Sequence, residues 1–375
     1  MSKIIVNNER DIMITIVIAT KNRADFLERL FFYYASVNFR GKILIGDSSD
    51  EKDLNQLKII LSQYKNILDI DFCEMPNMNV VGCHLKLLDK ITTPFVACVT
   101  DGGFLVPSAI DRCVDFLVNN HQYSIAHGKG VLFELDREGP WGNIITLGEY
   151  MPLPAIEHDS ASKRLHHHLA NYSVTMYCVY RVEVWKHIWQ GMDSIEDPGF
   201  AGEMVPCSRT VICGKAKAID CLYLVRHVHN RRYRLAPTYS WLASQGWSKA
   251  YNLFIKYLVD DLLRREQLTE QEAKDFVQKS FLFYLRRAIN DTIKNIAGIY
   301  PYPIQNTISK NRLNFKQIIR SLPGTRQFWR FIKDLRLGAV DDLSLSALLN
   351  PRSKYYADFM PVYRTITLGE KNNVQ

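Results

Sequence analysis

The feature that most constrains the fold is the run over residues 94–107, PFVACVTDGGFLVP. Residues 95–99 are apolar or β-branched throughout, the composition of a strand buried on both faces of a parallel sheet, and the run stops at Thr100 and Asp101 ahead of Gly102 and Gly103. In open α/β sheets the crevice outside the carboxyl ends of the strands takes the ligand, so an acid there faces a ligand more readily than the core. The two glycines allow backbone or ligand to approach closely. An ordinary Asp-Gly turn after a strand is the plain alternative.

The same punctuation recurs upstream. Residues 13–19, MITIVIA, read as a buried strand ending at Thr20, with Lys21, Asn22 and Arg23 before a periodic helix over 24–32. A second run, 42–46, ends at Asp47-Ser48-Ser49-Asp50 and leads into a helix over 53–64. Two strands ending in carboxylates give the β-α-β pattern of a nucleotide-binding half-sheet, in which Asp47 bonds a ribose or base edge, or else Asp47 or Ser49 simply caps the next helix. A third strand over 68–73 precedes a helix over 80–90, and Pro107 opens a helix over 107–119. Residues 121–156 alternate short strands with Gly and Pro breaks. Neither the dinucleotide fingerprint G-x-G-x-x-G nor the phosphate loop G-x-x-x-x-G-K-[ST] is present.

With 375 residues, 47% hydrophobic and 23% charged, the chain can hold a large α/β core and a smaller helical domain, expected over 1–235 and 236–375. Its net charge of +8 asks for an anionic partner, and Lys and Arg gather at 226–234 and 310–336. The eight cysteines include no C-x-x-C pair and sit mostly in apolar runs, which suits reduced core thiols. The first residues lack the basic-then-apolar layout of a secretory signal, and no stretch approaches the ~20 apolar residues of a spanning helix, so a cytoplasmic protein is expected.

In this order of parts the chain resembles the GT-A nucleotide-sugar glycosyltransferases, in particular the bacterial family 2-like enzymes, across roughly residues 12–235. The matching pieces are TIVIATKNRADFL, IGDSSDEKD, FVACVTDGGFLVP, ANYSVTMYCVYR and FAGEMVPCSRTVICGKAKAIDCLYLVRHVHN. The resemblance implies a Rossmann-like, mostly parallel sheet flanked by helices. It also implies transfer of a sugar, from a UDP-sugar first of all, to a hydroxyl of a glycan or lipid-linked glycan in surface-polysaccharide synthesis. Donor contacts then fall to Thr20, Lys21, Asn22, Arg23, Asp47, Asp101, Gly102, Gly103, His229 and Arg231. Relatives carry D-x-D or D-D-D at the strand end, where the last carboxylate holds Mn or Mg against the diphosphate, whereas this chain has Asp101-Gly102-Gly103. Either Asp101 and His227 share the ion, or His229, Arg231 and their neighbours in RHVHNRRYR balance the phosphates directly.

Glu203, in FAGEM, is the expected catalytic base of an inverting transfer, with Glu196 and Asp197 as the alternative carboxylates. A first-turn acid favoured by the helix dipole is its structural alternative. Tyr172 and Tyr177 are expected at the acceptor sugar, because aromatic faces stack on sugar rings, or else in the core. His166, His167 and His168 point in different directions on a helix and make a poor ligand set.

After residue 237 the pattern is helical, with a capping box at Thr269 to Glu272. Residues 310–336 carry eight Lys or Arg and one acid among aromatic and aliphatic residues. That is the pattern of a peripheral helix on the inner face of a membrane or of a helix covering the core. No RNA-binding signature accompanies it, so nucleic acid is not an expected partner. A catalytically silent glycan-binding or scaffold protein of the same fold is the rival reading.

Overall fold

The computed structural model describes residues 13–150, 153–296 and 342–372. Among these, nine strands form one sheet: β1 (Ile14–Thr20), β2 (Lys42–Asp47), β3 (Asp69–Glu74), β4 (Phe95–Cys98), β5 (Gly103–Leu105), β6 (Tyr123–Leu135), β7 (Ile144–Tyr150), β8 (Val179–Arg181) and β9 (Lys215–His227). Their order is β3-β2-β1-β4-β8-β6-β9-β5, with β7 beside β6. The β3-β2-β1-β4 half is parallel, as expected of a nucleotide-binding half-sheet. Beyond β4 the sheet is mixed: β8 is antiparallel to β4 and β6, β5 is antiparallel to β9, and β6 runs parallel to β9.

The helices are α1 (Ala24–Ser36), α2 (Glu51–Tyr64), α3 (Val80–Leu87), α4 (Pro107–Asn119), α5 (Ala161–Ala170), α6 (Val182–Trp189), α7 (Val205–Cys213), α8 (Thr238–Leu242), α9 (Trp247–Leu263), α10 (Glu270–Ile296), α11 (Leu345–Leu348) and α12 (Tyr356–Asn372). Strand alternation divides them between the two faces of the sheet. Ile16, Ile18, Ile43, Ile45 and Ala97 meet α1, α2, α4 and α12, while Val17, Leu44, Val96 and Cys98 meet α3, α5, α6, α7, α9 and α10. β1, β2 and β4 are therefore apolar on both sides, which is why their sequences read as near-continuous apolar runs, whereas the edge strand β3, DIDFCE, alternates with acids.

Local chemistry sets the helix ends. Asp50 caps α2 by accepting from the Asp53 N–H at 3.1 Å, a role the sequence had offered to Asp47 or Ser49. Asn79 caps α3 through the Gly82 N–H at 2.8 Å, and Pro107 starts α4. Thr269 and Glu272 form the expected capping box, Glu272 accepting from the Thr269 N–H at 2.8 Å.

The chain after residue 237 returns to the sheet on both faces: Phe254, Leu258, Val277 and Phe281 join one core, and Leu348, Phe359, Val362 and Ile366 the other. The basic segment at 310–336 lies outside the described residues. All eight cysteines are free thiols, and Cys73 and Cys213 alone are half-buried. Among the described residues no helix is long and apolar enough to cross a membrane.

Candidate functional site

The carboxyl ends of β1, β2 and β4 meet at one mouth. Thr20 and Asp47 are direct partners across β1 and β2, and the Thr20 hydroxyl donates to Asp101 Oδ2 at 2.8 Å. Arg23 Nη1 donates to both Asp101 oxygens, at 2.9 and 3.1 Å. Asp101 is 1% exposed, so the strand-end acid is sealed under this pair.

Asn22 takes a left-handed conformation, φ 56°, which asparagine tolerates better than most residues. It ties the strand ends together, its N–H donating to Ser49 Oγ at 2.7 Å and its side-chain oxygen accepting from the Asp50 N–H at 2.9 Å. Asp47 is buried; Ser49 bonds one of its oxygens through both N–H and hydroxyl, and the other has no protein partner. Burial pushes its carboxyl above the ordinary range, with the Ser49 bonds opposing. Lys21 is exposed at the same rim.

The 226–234 segment folds onto this mouth from the end of β9. The Gly102 carbonyl accepts from the His227 N–H at 2.9 Å, and the His229 ring reaches so close that a Cβ on Gly102 would sit 3.1 Å from its Nε2. That approach is what the glycine provides. Arg23 also donates to the Arg231 carbonyl, and Arg231 donates to the Asn22 carbonyl and to Asp25 Oδ2, the latter at 2.8 Å. The expected donor residues from β1, β2, β4 and the His229–Arg231 loop thus gather in one place, latched by two arginines.

Arg29, which the sequence reading missed, lies beneath the latch. It is fully buried between Phe26 and Phe104, 5.1 and 4.9 Å from their ring centres, and donates to the Pro140 carbonyl. Its Nη1 also lies 3.3 Å from His227 Nδ1. Because a guanidinium only donates, Nδ1 must accept, and the His227 proton belongs on Nε2. Burial lowers the arginine to about 9, partly offset by Asp101 and Asp25. The signal in the sequence was a charge on the apolar stripe of α1, three residues after Phe26 and one before Leu30.

Glu203 is half-buried. It lies in a π-helical turn over Phe200–Met204 that feeds α7, and turns of this kind recur at functional sites. The Tyr172 hydroxyl donates to Glu203 Oε1 at 3.0 Å. Burial raises the Glu203 carboxyl above its ordinary range, while Tyr172 and the Arg226 charge pull it down. The Arg226 guanidinium lies 5.0 Å from the Tyr177 ring centre and 5.8 Å from that of Tyr150. Arg226 is paired in register with Gly103, which carries the Glu203 group to the edge of the Asp101 turn. Arg226 and Tyr150 had been given no separate role in the sequence; only the mixed half of the sheet brings them to Glu203.

Other contacts engage the remaining expected residues. Glu196 is exposed and pairs with Lys249 at 2.7 Å. Asp197 caps the π turn, accepting from the Phe200 N–H at 2.8 Å and from Trp241 Nε1 at 3.1 Å, so both alternative acids are held in other contacts. Of the two expected metal ligands, the Asp101 carboxylate is bonded by Thr20 and Arg23, and the His227 Nδ1 by Arg29. Among the described residues no group of three His, Cys, Asp or Glu could hold a metal ion. His166 contacts Ser280 at 3.2 Å, and His168 is buried beside Tyr172, apart from the mouth.

Fold and site together define an α/β protein with a mixed nine-stranded sheet among the described residues and a polar mouth at the ends of β1, β2 and β4. No protein-family model and no curated protein matches the chain. Among solved structures it is similar to TarS of S. aureus, residues 1–349, at TM-score 0.45 and 13% identity, over 72% of this chain and 70% of that one. The same fragment in complex with UDP-GlcNAc gives a TM-score of 0.47 at 13% identity, over 72% and 71%. Against the longer TarS structure the TM-score is 0.46 at 13% identity, and the match spans 72% of this chain but 43% of that one.

Proposed function

We propose that this protein transfers a sugar from a nucleotide-sugar donor, a UDP-sugar first among them, to a hydroxyl of a glycan acceptor, with inversion at the anomeric carbon. The observation that carries the reading is Glu203: a half-buried carboxylate with a raised pKa, oriented by Tyr172 and adjoining the strand-end mouth through Arg226. A base of raised pKa is well matched to proton removal near neutral pH.

In this reading Glu203 takes the proton of the acceptor hydroxyl as its oxygen bonds to the anomeric carbon. The bond from that carbon to the diphosphate oxygen breaks, and its electron pair leaves with the nucleotide. Tyr150, Tyr172 and Tyr177 stand around Glu203 and Arg226 as the aromatic wall for the acceptor. The buried, unpartnered oxygen of Asp47 lacks the hydrogen bond that a ribose hydroxyl or base edge would supply. Surface-polysaccharide synthesis at the inner face of a membrane is the setting that such an acceptor suggests. One observation favours the rival, a silent glycan-binding protein: Asp101 is sealed by Arg23.

The test is a thermal-shift screen with UDP-, GDP-, dTDP- and CMP-sugars, followed by a donor-turnover assay with the stabilising compound. Stabilisation by one nucleotide class and turnover of its sugar are expected. Stabilisation without turnover, in the presence of glycan acceptors, supports the rival, and no stabilisation by any of them removes the donor reading.

A further inference from the structure

The mouth beside Asp101 is built from cations in a way that disfavours the metal ion its fold type implies. Asp101 is the only acid of the D-G-G turn, and its oxygens receive the Thr20 hydroxyl and a two-point contact from Arg23. A bidentate arginine is among the strongest partners a carboxylate can have, and an incoming dication would have to displace it. Gly103 stands where a second carboxylate would complete a ligand pair. His227 offers no lone pair, since Nδ1 accepts from Arg29 and Nε2 carries the proton. Three guanidiniums, Arg23, Arg29 and Arg231, converge on the side of the mouth beside Asp101 and Asp25, while Asp47 and Asp50 stand on its β2 side. Arg29 makes no direct ion pair among the described residues; Asp101 and Asp25 offset its burial only in part, so a ligand anion at the mouth would stabilise it further.

We infer that this mouth holds a nucleoside diphosphate on guanidinium groups, without a divalent cation. Arg23 and Arg231 present their remaining N–H donors to the phosphates, and Arg29 supplies a fixed charge behind the Gly102 backbone. The inference rests on the donor reading above and sharpens it. Side-chain exposures of 18% for Arg23 and 40% for Arg231 leave both able to meet a ligand, and the latch between them holds their guanidiniums at one rim. Asp101 then serves as the counter-ion that orients Arg23.

The two roles for Asp101 differ in sign. If Asp101 ligates a metal, Asp101→Asn weakens nucleotide binding; if it is a counter-ion, the same change removes a competing negative charge, and the nucleotide binds at least as tightly. The experiment is calorimetric titration of the full chain with UDP, GDP, dTDP and CDP, in EDTA and in Mn or Mg. For the diphosphate that binds, the expected affinity in EDTA is within about twofold of that with metal, and Arg231→Gln weakens it by about tenfold, the scale of one charge-assisted contact. Binding that requires the ion, or a tenfold loss in Asp101→Asn, overturns the inference and leaves the donor reading standing. If Asp101→Asn does not fold, the comparison of EDTA with metal on the unaltered protein decides alone. Binding of no diphosphate under either condition overturns the donor reading and this inference with it.

Discussion

Glu203 is held by opposing influences, and their balance predicts different outcomes for activity and stability. Burial raises its pKa, so its folded value lies above the unfolded one, and between the two the folded state binds the extra proton. That contribution favours folding below the ordinary carboxylate range and is lost as pH rises through the raised value. Glu203→Gln removes the titration, so at neutral pH the variant should melt no lower than the unaltered protein, while transfer falls by ~100-fold or more because no proton acceptor remains. Paired melting and transfer measurements check this; a clear drop in melting temperature with transfer retained would make Glu203 a structural acid. The types of residue at the mouth were legible in the sequence, because Thr20, Asp47 and Asp101 each end a buried strand. Which neighbour each acid would meet was not. Arg23 reaches Asp101 across 78 positions and Arg231 reaches Asp25 across 206, and local spacing carries no information about such pairs.

At the scale of elements, the π turn over Phe200–Met204 is what aims Glu203 at Tyr172. It rests on an aromatic floor: Phe200 packs against Trp241 at 4.9 Å and Phe254 at 5.4 Å, and Trp241 bonds Asp197. A helix was readable here, but the wider turn was not, because it follows from packing against α8, α9 and α10, far along the chain. Asp197 caps that turn, so Asp197→Ala should cost about 1 kcal/mol of stability, the usual value of a lost cap. It should also lower the transfer rate while leaving nucleotide affinity unchanged, since the mouth at Asp101 lies on other elements. Trp241→Phe keeps an aromatic ring against Phe200 but removes the indole N–H together with the five-membered ring, and the same pattern of lower rate with unchanged nucleotide affinity is expected. Denaturant melts together with separate rate and nucleotide-binding measurements test the pair; a loss of nucleotide affinity equal to the loss of rate would mean that the turn supports the whole site rather than Glu203.

For the whole molecule, the two helical layers that close the sheet bury imidazoles as well as hydrocarbons, and this fixes how stability responds to acid. His84, His127, His168 and His227 are buried, and desolvation lowers them to about 4, 4, 3 and 2. They are therefore neutral in the fold, whereas an unfolded imidazole takes its proton near pH ~6.5. The unfolded chain binds more protons than the folded one below that pH, so stability falls as pH drops through about 6.5, by up to about 1.4 kcal/mol per pH unit for each imidazole. Carboxyls raised by burial, Asp47 and Glu203 among them, act with the opposite sign, so the total slope mixes the two groups. A difference measurement separates them. His84 stacks on Trp189 at 4.4 Å, away from the mouth, and phenylalanine offers a similar ring with no titration. Between pH 6.5 and 5 the unaltered protein should lose about 1.5 kcal/mol more than His84→Phe in urea unfolding, the free energy of one proton taken up on unfolding. Equal losses would mean that His84 already carries its proton in the fold, and that the acid limb of stability comes from other groups.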